Sequence, residues 1–61
     1  MKIAICDDEE IILNNTVFIV DEIIRDNGNS VGFLNGNELI ENLEVDNYYD
    51  IIYTRYRYGR N

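Results

Sequence analysis

The stretch that decides the fold is KIAICDDEE, residues 2–10. Its first five residues are mostly apolar, and the next four are all acidic. A short apolar run that ends in a polar cluster is typical of a strand buried on both faces, as in a parallel sheet. We therefore predict a buried strand over residues 2–6, with carboxylates at its carboxyl end.

The segment after this strand changes to a helical period, which predicts a first helix over residues 9–25. Acids at its start and Arg25 at its end suit the helix dipole, and Gly28 in the following DNGN can end it with a left-handed residue. Two adjacent stripes should form a wide apolar face over one side of the sheet. One stripe is Ile12, Thr16, Ile19 and Ile23, and the other is Leu13, Val17, Val20 and Ile24.

The rest of the chain repeats the alternation of strand and helix. SVGFL (30–34) predicts a second strand, which Gly32 weakens. Asn35, with Glu38 three residues later, predicts the cap of a second helix over 36–43. DIIY opens a third strand over 50–54. The order βαβαβ predicts an α/β fold with a parallel sheet and right-handed crossovers, the N-terminal half of a flavodoxin-like doubly wound sheet.

Length and composition exclude several classes of protein. With 61 residues, the chain forms at most one small domain. One cysteine and no histidine exclude a disulfide framework and a Cys/His zinc site, and we expect Cys6 to be a small buried apolar residue. No apolar run is long enough for a membrane span, and no signal peptide is recognisable, so we expect a cytoplasmic location without a membrane partner.

Charge divides the chain into two unequal parts. The net charge is −7, from twelve acids and five bases, which argues against nucleic acid as a partner for the bulk of the chain. All the acids lie within residues 1–50, whereas the ending TRYRYGRN has three arginines and no acid. This asymmetry indicates a change of character near residue 53.

The predicted sheet brings particular side chains together. Asp7 and Asp8 follow the first strand, and residues 54 and 55 should follow the third, at the edge where parallel sheets bind ligands. Two adjacent carboxylates suit a hard cation such as Mg²⁺. The simpler interpretation, which composition alone favours, is an acidic helix start that is stabilised by the dipole.

KIAICDDEE, FLNGNELIENL and YYDII together resemble the N-terminal half of a response-regulator receiver domain (CheY-like), of the LytTR-type subfamily. The resemblance covers residues 1–53. It implies a two-component phosphorelay in which Asp7 and Asp8 hold Mg²⁺ and a histidine kinase phosphorylates an aspartate at the end of the third strand. It implies no enzyme activity for the receiver itself, and on this resemblance we expect a truncated receiver without a DNA-binding domain.

The chain departs from the family at the phosphoacceptor. Counting from Asp50, the acceptor aspartate should be residue 55, which is Arg55. An aspartate attacks phosphorus and becomes an acyl phosphate, which a permanently protonated guanidinium cannot do. We therefore expect a truncated receiver that cannot accept phosphoryl, with a vestigial Mg²⁺ site that binds weakly or not at all, so that interaction with a histidine kinase is doubtful.

A change of reading frame accounts for the unusual ending. TAT ACT AGA TAT AGA TAT GGC CGG encodes YTRYRYGR, and reading it one nucleotide later gives Ile-Leu-Asp-Ile-Asp-Met-Ala. This run is similar to the segment around the acceptor in receivers. We therefore interpret residues 1–53 as a partial receiver and residues 54–61 as an out-of-frame or disordered basic, aromatic tail.

Two alternative functions remain open, and so does self-association of the chain. The chain could be an atypical, phosphorylation-independent receiver in which Arg55 pairs with Asp7 and Asp8. It could instead be a small nucleic-acid-binding protein that uses the tail at 54–60, although twelve acids oppose this. In the family the third strand is interior, and since its outer neighbour is missing from a truncated receiver, it should present an open apolar edge through which the chain could self-associate.

Overall fold

A computed structural model describes residues 1–45 and 48–55 and shows the alternation of strands and helices that the sequence predicts. The strands are β1 (Lys2–Asp7), β2 (Asn29–Phe33) and β3 (Ile51–Arg55), and the helices are α1 (Glu10–Ile24) and α2 (Gly36–Glu44). Each boundary lies within one residue of the predicted one. The α/β class is therefore confirmed, and its sheet is that of a flavodoxin-like half-fold.

The three strands form one parallel sheet in the order β2-β1-β3. The register pairs Cys6 with Phe33 on one side of β1 and Asp7 with Arg55 on the other. The carboxyl ends of β1 and β3 are thus neighbours, as expected. Arg55, which we predicted to lie just beyond the third strand, is its last residue, so the first two residues of the predicted tail at 54–61 belong to β3.

Strand β1 is buried on both faces and divides the interior into two cores. The α1 core consists of Ile3, Ile5 and Leu13, with Val17, Val20 and Ile24 packed against them. The α2 core consists of Ala4, Cys6, Phe33 and Leu39, with Val31, Leu43 and Tyr49 packed against them. Because side chains alternate along a strand, odd residues of β1 contribute to the first core and even residues to the second.

Two glycines fit places where a side chain would collide. Gly28 has a φ of 155°, and a Cβ atom there would lie 1.6 Å from the carbonyl oxygen of Met1. A Cβ atom on Gly32 would lie 3.1 Å from carbons of Leu13 and Val17, so the glycine lets α1 approach β2. Gly28 does not end α1 directly as predicted, because α1 ends at Ile24 and a 3-10 helix (Arg25–Asn27) lies between the two.

The wide apolar face predicted for α1 is only partly covered. The stripe that begins at Leu13 packs on the sheet. In the other stripe, Ile19 remains 55% exposed and Ile23 74% exposed. The reason is the width of the sheet: α1 lies over β1 and β2, and nothing in the described part of the chain packs beside it.

In residues 1–45 and 48–55 no helix has both the length and the apolar character needed to cross a bilayer.

Candidate functional site at the carboxyl end of the sheet

Asp7 is the only charged residue with a buried side chain among those that the structure describes, at 2% exposure. It is the last residue of β1, so the strand that organises both cores carries a carboxylate to the edge of the sheet. One oxygen, Oδ1, accepts a hydrogen bond of 2.9 Å from the backbone N–H of Glu9. This bond fixes the turn between β1 and α1, and it compensates part of the cost of burying the charge.

Arg55 provides the positive charge that this carboxylate needs. It lies opposite Asp7 in the parallel register, and its Nη1 is 3.2 Å from Oδ2 of Asp7 and 3.3 Å from Oε2 of Glu9. The hydrogen bonds to Asp7 and then to Glu9 raise the pKa of the Arg55 guanidinium above its ordinary value. The guanidinium therefore bridges two carboxylates that flank the β1–α1 turn.

Carboxylate oxygens of Asp7, Asp8 and Glu9 lie within 4.8 Å of one another. Such a set of oxygens suits a hard divalent cation in its chemistry. The Nη1 atom of Arg55 already lies between two of these three carboxylates, and it brings a positive charge towards any cation there. The oxygens are those a divalent cation would need, and Arg55 in this position opposes such a cation electrostatically.

The site differs in one partner from the alternative considered above. Arg55 meets Asp7, as that alternative requires, but its second partner is Glu9 rather than Asp8. Glu9 was present in the acidic run but received no role, because the sequence shows only that the run precedes a helix. Both residues precede α1, which begins at Glu10, so the partner depends on the backbone of the β1–α1 turn, where Glu9 is an extended N-cap residue.

At the opposite end of the sheet, a second polar cluster links the start of β3 to the start of β1 by hydrogen bonds. The backbone N–H of Lys2 donates to Oδ2 of Asp50 at 2.7 Å, and the Asp50 N–H donates to the Lys2 carbonyl at 2.8 Å. The hydroxyl of Tyr48 donates to Oδ1 of Asp50 at 2.7 Å. The Lys2 bond, with that of Tyr48, lowers the pKa of Asp50, while Asp50 raises that of Tyr48. Sequence reasoning gave Tyr48 and Asp50 no such role and missed this cluster.

The structure describes only residues 54 and 55 of the basic tail on which the nucleic-acid hypothesis rests. Residues 56–61, with two of its three arginines, lie outside the described residues. Its first arginine, Arg55, forms ion pairs with Asp7 and Glu9. This cation is therefore engaged within the protein itself.

Function has to be inferred from these contacts rather than from relatives. The chain matches no protein-family profile, no curated protein and no solved structure. The features available for that inference are the parallel sheet, the buried carboxylate of Asp7 and the guanidinium of Arg55 beside it.

Proposed function

We propose that residues 1–53 are the N-terminal part of a response-regulator receiver domain that is unable to accept a phosphoryl group at residue 55. The observation that carries this proposal is the pairing of Asp7 with Arg55 in the parallel register. The resemblance requires the acceptor position to lie beside the acid that follows β1, and residue 55 lies there. The strand order β2-β1-β3 supports the same proposal.

The chemistry at residue 55 explains the loss of phosphotransfer. An acceptor must offer a carboxylate oxygen that attacks phosphorus, and arginine has no such atom. Its guanidinium also competes with Mg²⁺ for Asp7, because both are cations. A histidine kinase of a two-component system would therefore find neither the nucleophile nor the metal at this position.

A shift of reading frame near codon 53 is the origin that we propose for Arg55. The Tyr-Arg-Tyr-Arg-Tyr alternation supports it, since AGA before a tyrosine codon gives GAT, an aspartate codon, one nucleotide later. Sequencing the encoding DNA tests this origin. Receiver coding one base out of register downstream of codon 53 is the expected result, and its absence from every frame would refute the frameshift.

In a second candidate function, Arg55 has a structural role of its own. The ion pairs at 3.2 and 3.3 Å favour it, because they hold the β1–α1 turn against β3 without a metal ion. In this case the protein is a phosphorylation-independent receiver that is fixed in one conformation by its own cation.

Intact-mass measurement after incubation with acetyl phosphate and Mg²⁺ tests the main proposal. An intact receiver domain in the same reaction is the positive control. We expect no added phosphoryl group on this chain. A hydroxylamine-labile adduct on any aspartate would overturn the proposal.

The two candidates differ in what Arg55→Met should do. If Arg55 only replaces the acceptor aspartate and does not stabilise the turn, the variant unfolds at the same urea concentration as the wild type. If Arg55 holds the turn, the midpoint falls, because the buried Asp7 carboxylate loses its cation. Arg60→Met, which removes a cation of the tail, is the matched control for the change in net charge.

A further inference from the structure

An apolar groove lies between α1 and β3. Its floor is formed by β1 and β3 and its wall by α1, and the lining residues are Ile3, Ile5, Thr16, Val20, Ile51 and Tyr53. Its volume is about 270 Å³. On the floor, Ile51 is 46% exposed and Tyr53 is 51% exposed. Half-exposed side chains of this size, contiguous with a buried core, form a surface that favours contact with another apolar surface.

The helix that forms the wall of the groove also exposes four large apolar side chains away from the sheet, beside the polar residues Asn15 and Glu22. Ile11, Phe18, Ile19 and Ile23 are 78%, 67%, 55% and 74% exposed. The stripe that contains Ile19 and Ile23 continues from Thr16 in the groove wall, one helical turn at a time. One chain therefore presents an apolar groove and, next to it, an uncovered apolar helix.

We infer that two copies of this chain associate so that the exposed face of α1 from each copy occupies the groove of the other. A helix is about 10–12 Å across with its side chains, and two neighbouring strands, about 4.8 Å apart, provide a floor for one helix. Because the groove and the helix are adjacent on the same molecule, one contact with two-fold symmetry fills both grooves and covers both helices. Such an isologous contact closes on itself and ends at a dimer.

Pairing through the open edge of β3 is the competing arrangement, and it fills the groove less well. In an edge-to-edge dimer, about four strand spacings of 4.8 Å would separate the two α1 helices, or roughly 19 Å. Packed helices lie 8–10 Å apart. The groove and the exposed residues of α1 would therefore remain in contact with water. For this reason we favour the dimer in which each helix occupies the groove of the other copy over the edge-to-edge dimer.

The area involved fits a weak dimer. Six side chains that are 46–78% exposed would become covered in each copy, namely those of Ile11, Phe18, Ile19, Ile23, Ile51 and Tyr53. At about 150–200 Å² for a large side chain, this removes roughly 600 Å² of surface from each copy. The total is close to the lower end of specific interfaces, so we expect a dissociation constant of about 1–100 µM.

Sedimentation of the full chain, from about 1 to about 500 µM, brackets that affinity and tests the inference. Ile51 and Ile52 provide a matched pair, since both are 46% exposed on β3 but point to opposite faces of the sheet. We expect a dimer for the wild type and for Ile52→Glu, and a monomer for Ile51→Glu. Ile19→Glu should also be monomeric, whereas Ile40→Glu, at 54% exposure on α2, should dimerise as the wild type does.

Cross-linking provides a second measurement that does not depend on a disruptive charge. Phe18→Cys and Tyr53→Cys, mixed and oxidised, should form a disulfide-linked heterodimer in preference to either homodimer. Three results would overturn the inference: a wild type that stays monomeric throughout, equal weakening by Ile51→Glu and Ile52→Glu as edge pairing requires, or open-ended assembly in place of a dimer.

Discussion

The guanidinium of Arg55 lies 3.2 Å from a carboxylate oxygen of Asp7, a residue that is only 2% exposed. A buried charge is tolerated when it is paired and hydrogen-bonded, and Asp7 has both an arginine and the Glu9 N–H. The arginine approaches from the neighbouring strand, so the pair links residues 48 positions apart in the chain. One guanidinium therefore neutralises part of the negative charge at this edge of the sheet.

Magnesium should bind the wild-type chain weakly or not at all, because Arg55 brings a like charge towards the metal. Arg55→Met should bind Mg²⁺ more tightly, since Asp7, Asp8 and Glu9 are then without that cation. Isothermal titration of both proteins measures the difference, with Asp8→Ala in each background as the control. Submillimolar binding by the wild type that Asp8→Ala abolishes would contradict this expectation.

The carboxyl group of Asp50 should titrate below its ordinary value of 3.8. The Lys2 N–H is the larger cause and Tyr48 the second, so Tyr48→Phe should raise the pKa only part of the way. Tyr53→Phe, on the same strand but without this hydrogen bond, should leave it unchanged. Carbon-13 NMR of the carboxyl group follows each titration, and an identical response to both variants would refute the assignment.

The lowered pKa of Asp50 also determines how the free energy of unfolding changes with pH. Folding favours the ionised form, so this contribution is present above pH 3.8 and is lost as the pH falls through the folded-state pKa. Asp50→Asn should therefore flatten the loss of helical signal in acid. Circular dichroism between pH 6 and about pH 2 covers this window.

Asn35→Ala should destabilise α2 by about 1 kcal/mol, the usual effect of losing an N-cap. The Asn35 side chain accepts the Glu38 N–H at 2.9 Å and donates to the Glu38 carboxylate at 3.2 Å. Asn37→Ala, at the second residue of the same helix, removes the same kind of amide without removing a cap. Urea unfolding of both variants should show a lower midpoint for the first alone, and equal midpoints would argue against the cap.

At concentrations below the dissociation constant of the proposed dimer, the chain should unfold over a broad range of temperature. A 61-residue chain buries little apolar surface, and the structure leaves much of α1 and β3 uncovered. Thermal unfolding and amide exchange at a few micromolar measure this. A sharp two-state transition with strong protection in 2–6 and 50–53 would show that the described elements are stable alone.

The sequence predicted the elements well because each has a local cause. The apolar run of β1, the helical period of α1 and the Asn35 cap are all visible within a few residues. The exposure of Ile19 and Ile23 was not predictable, because it depends on how many strands lie beneath the helix. The choice of Glu9 over Asp8 as the second partner of Arg55 depends on the backbone of the turn between β1 and α1, which the acidic run does not reveal.

The alternation along β1 has a practical use in spectroscopy. The methyl groups of Ile3 and Ile5 lie in the α1 core and that of Ala4 in the α2 core, so neighbouring residues of one strand report on opposite layers. A methyl spectrum recorded during unfolding would show whether one layer melts before the other. A single strand thus provides an internal pair of reporters, with no added label on the surface.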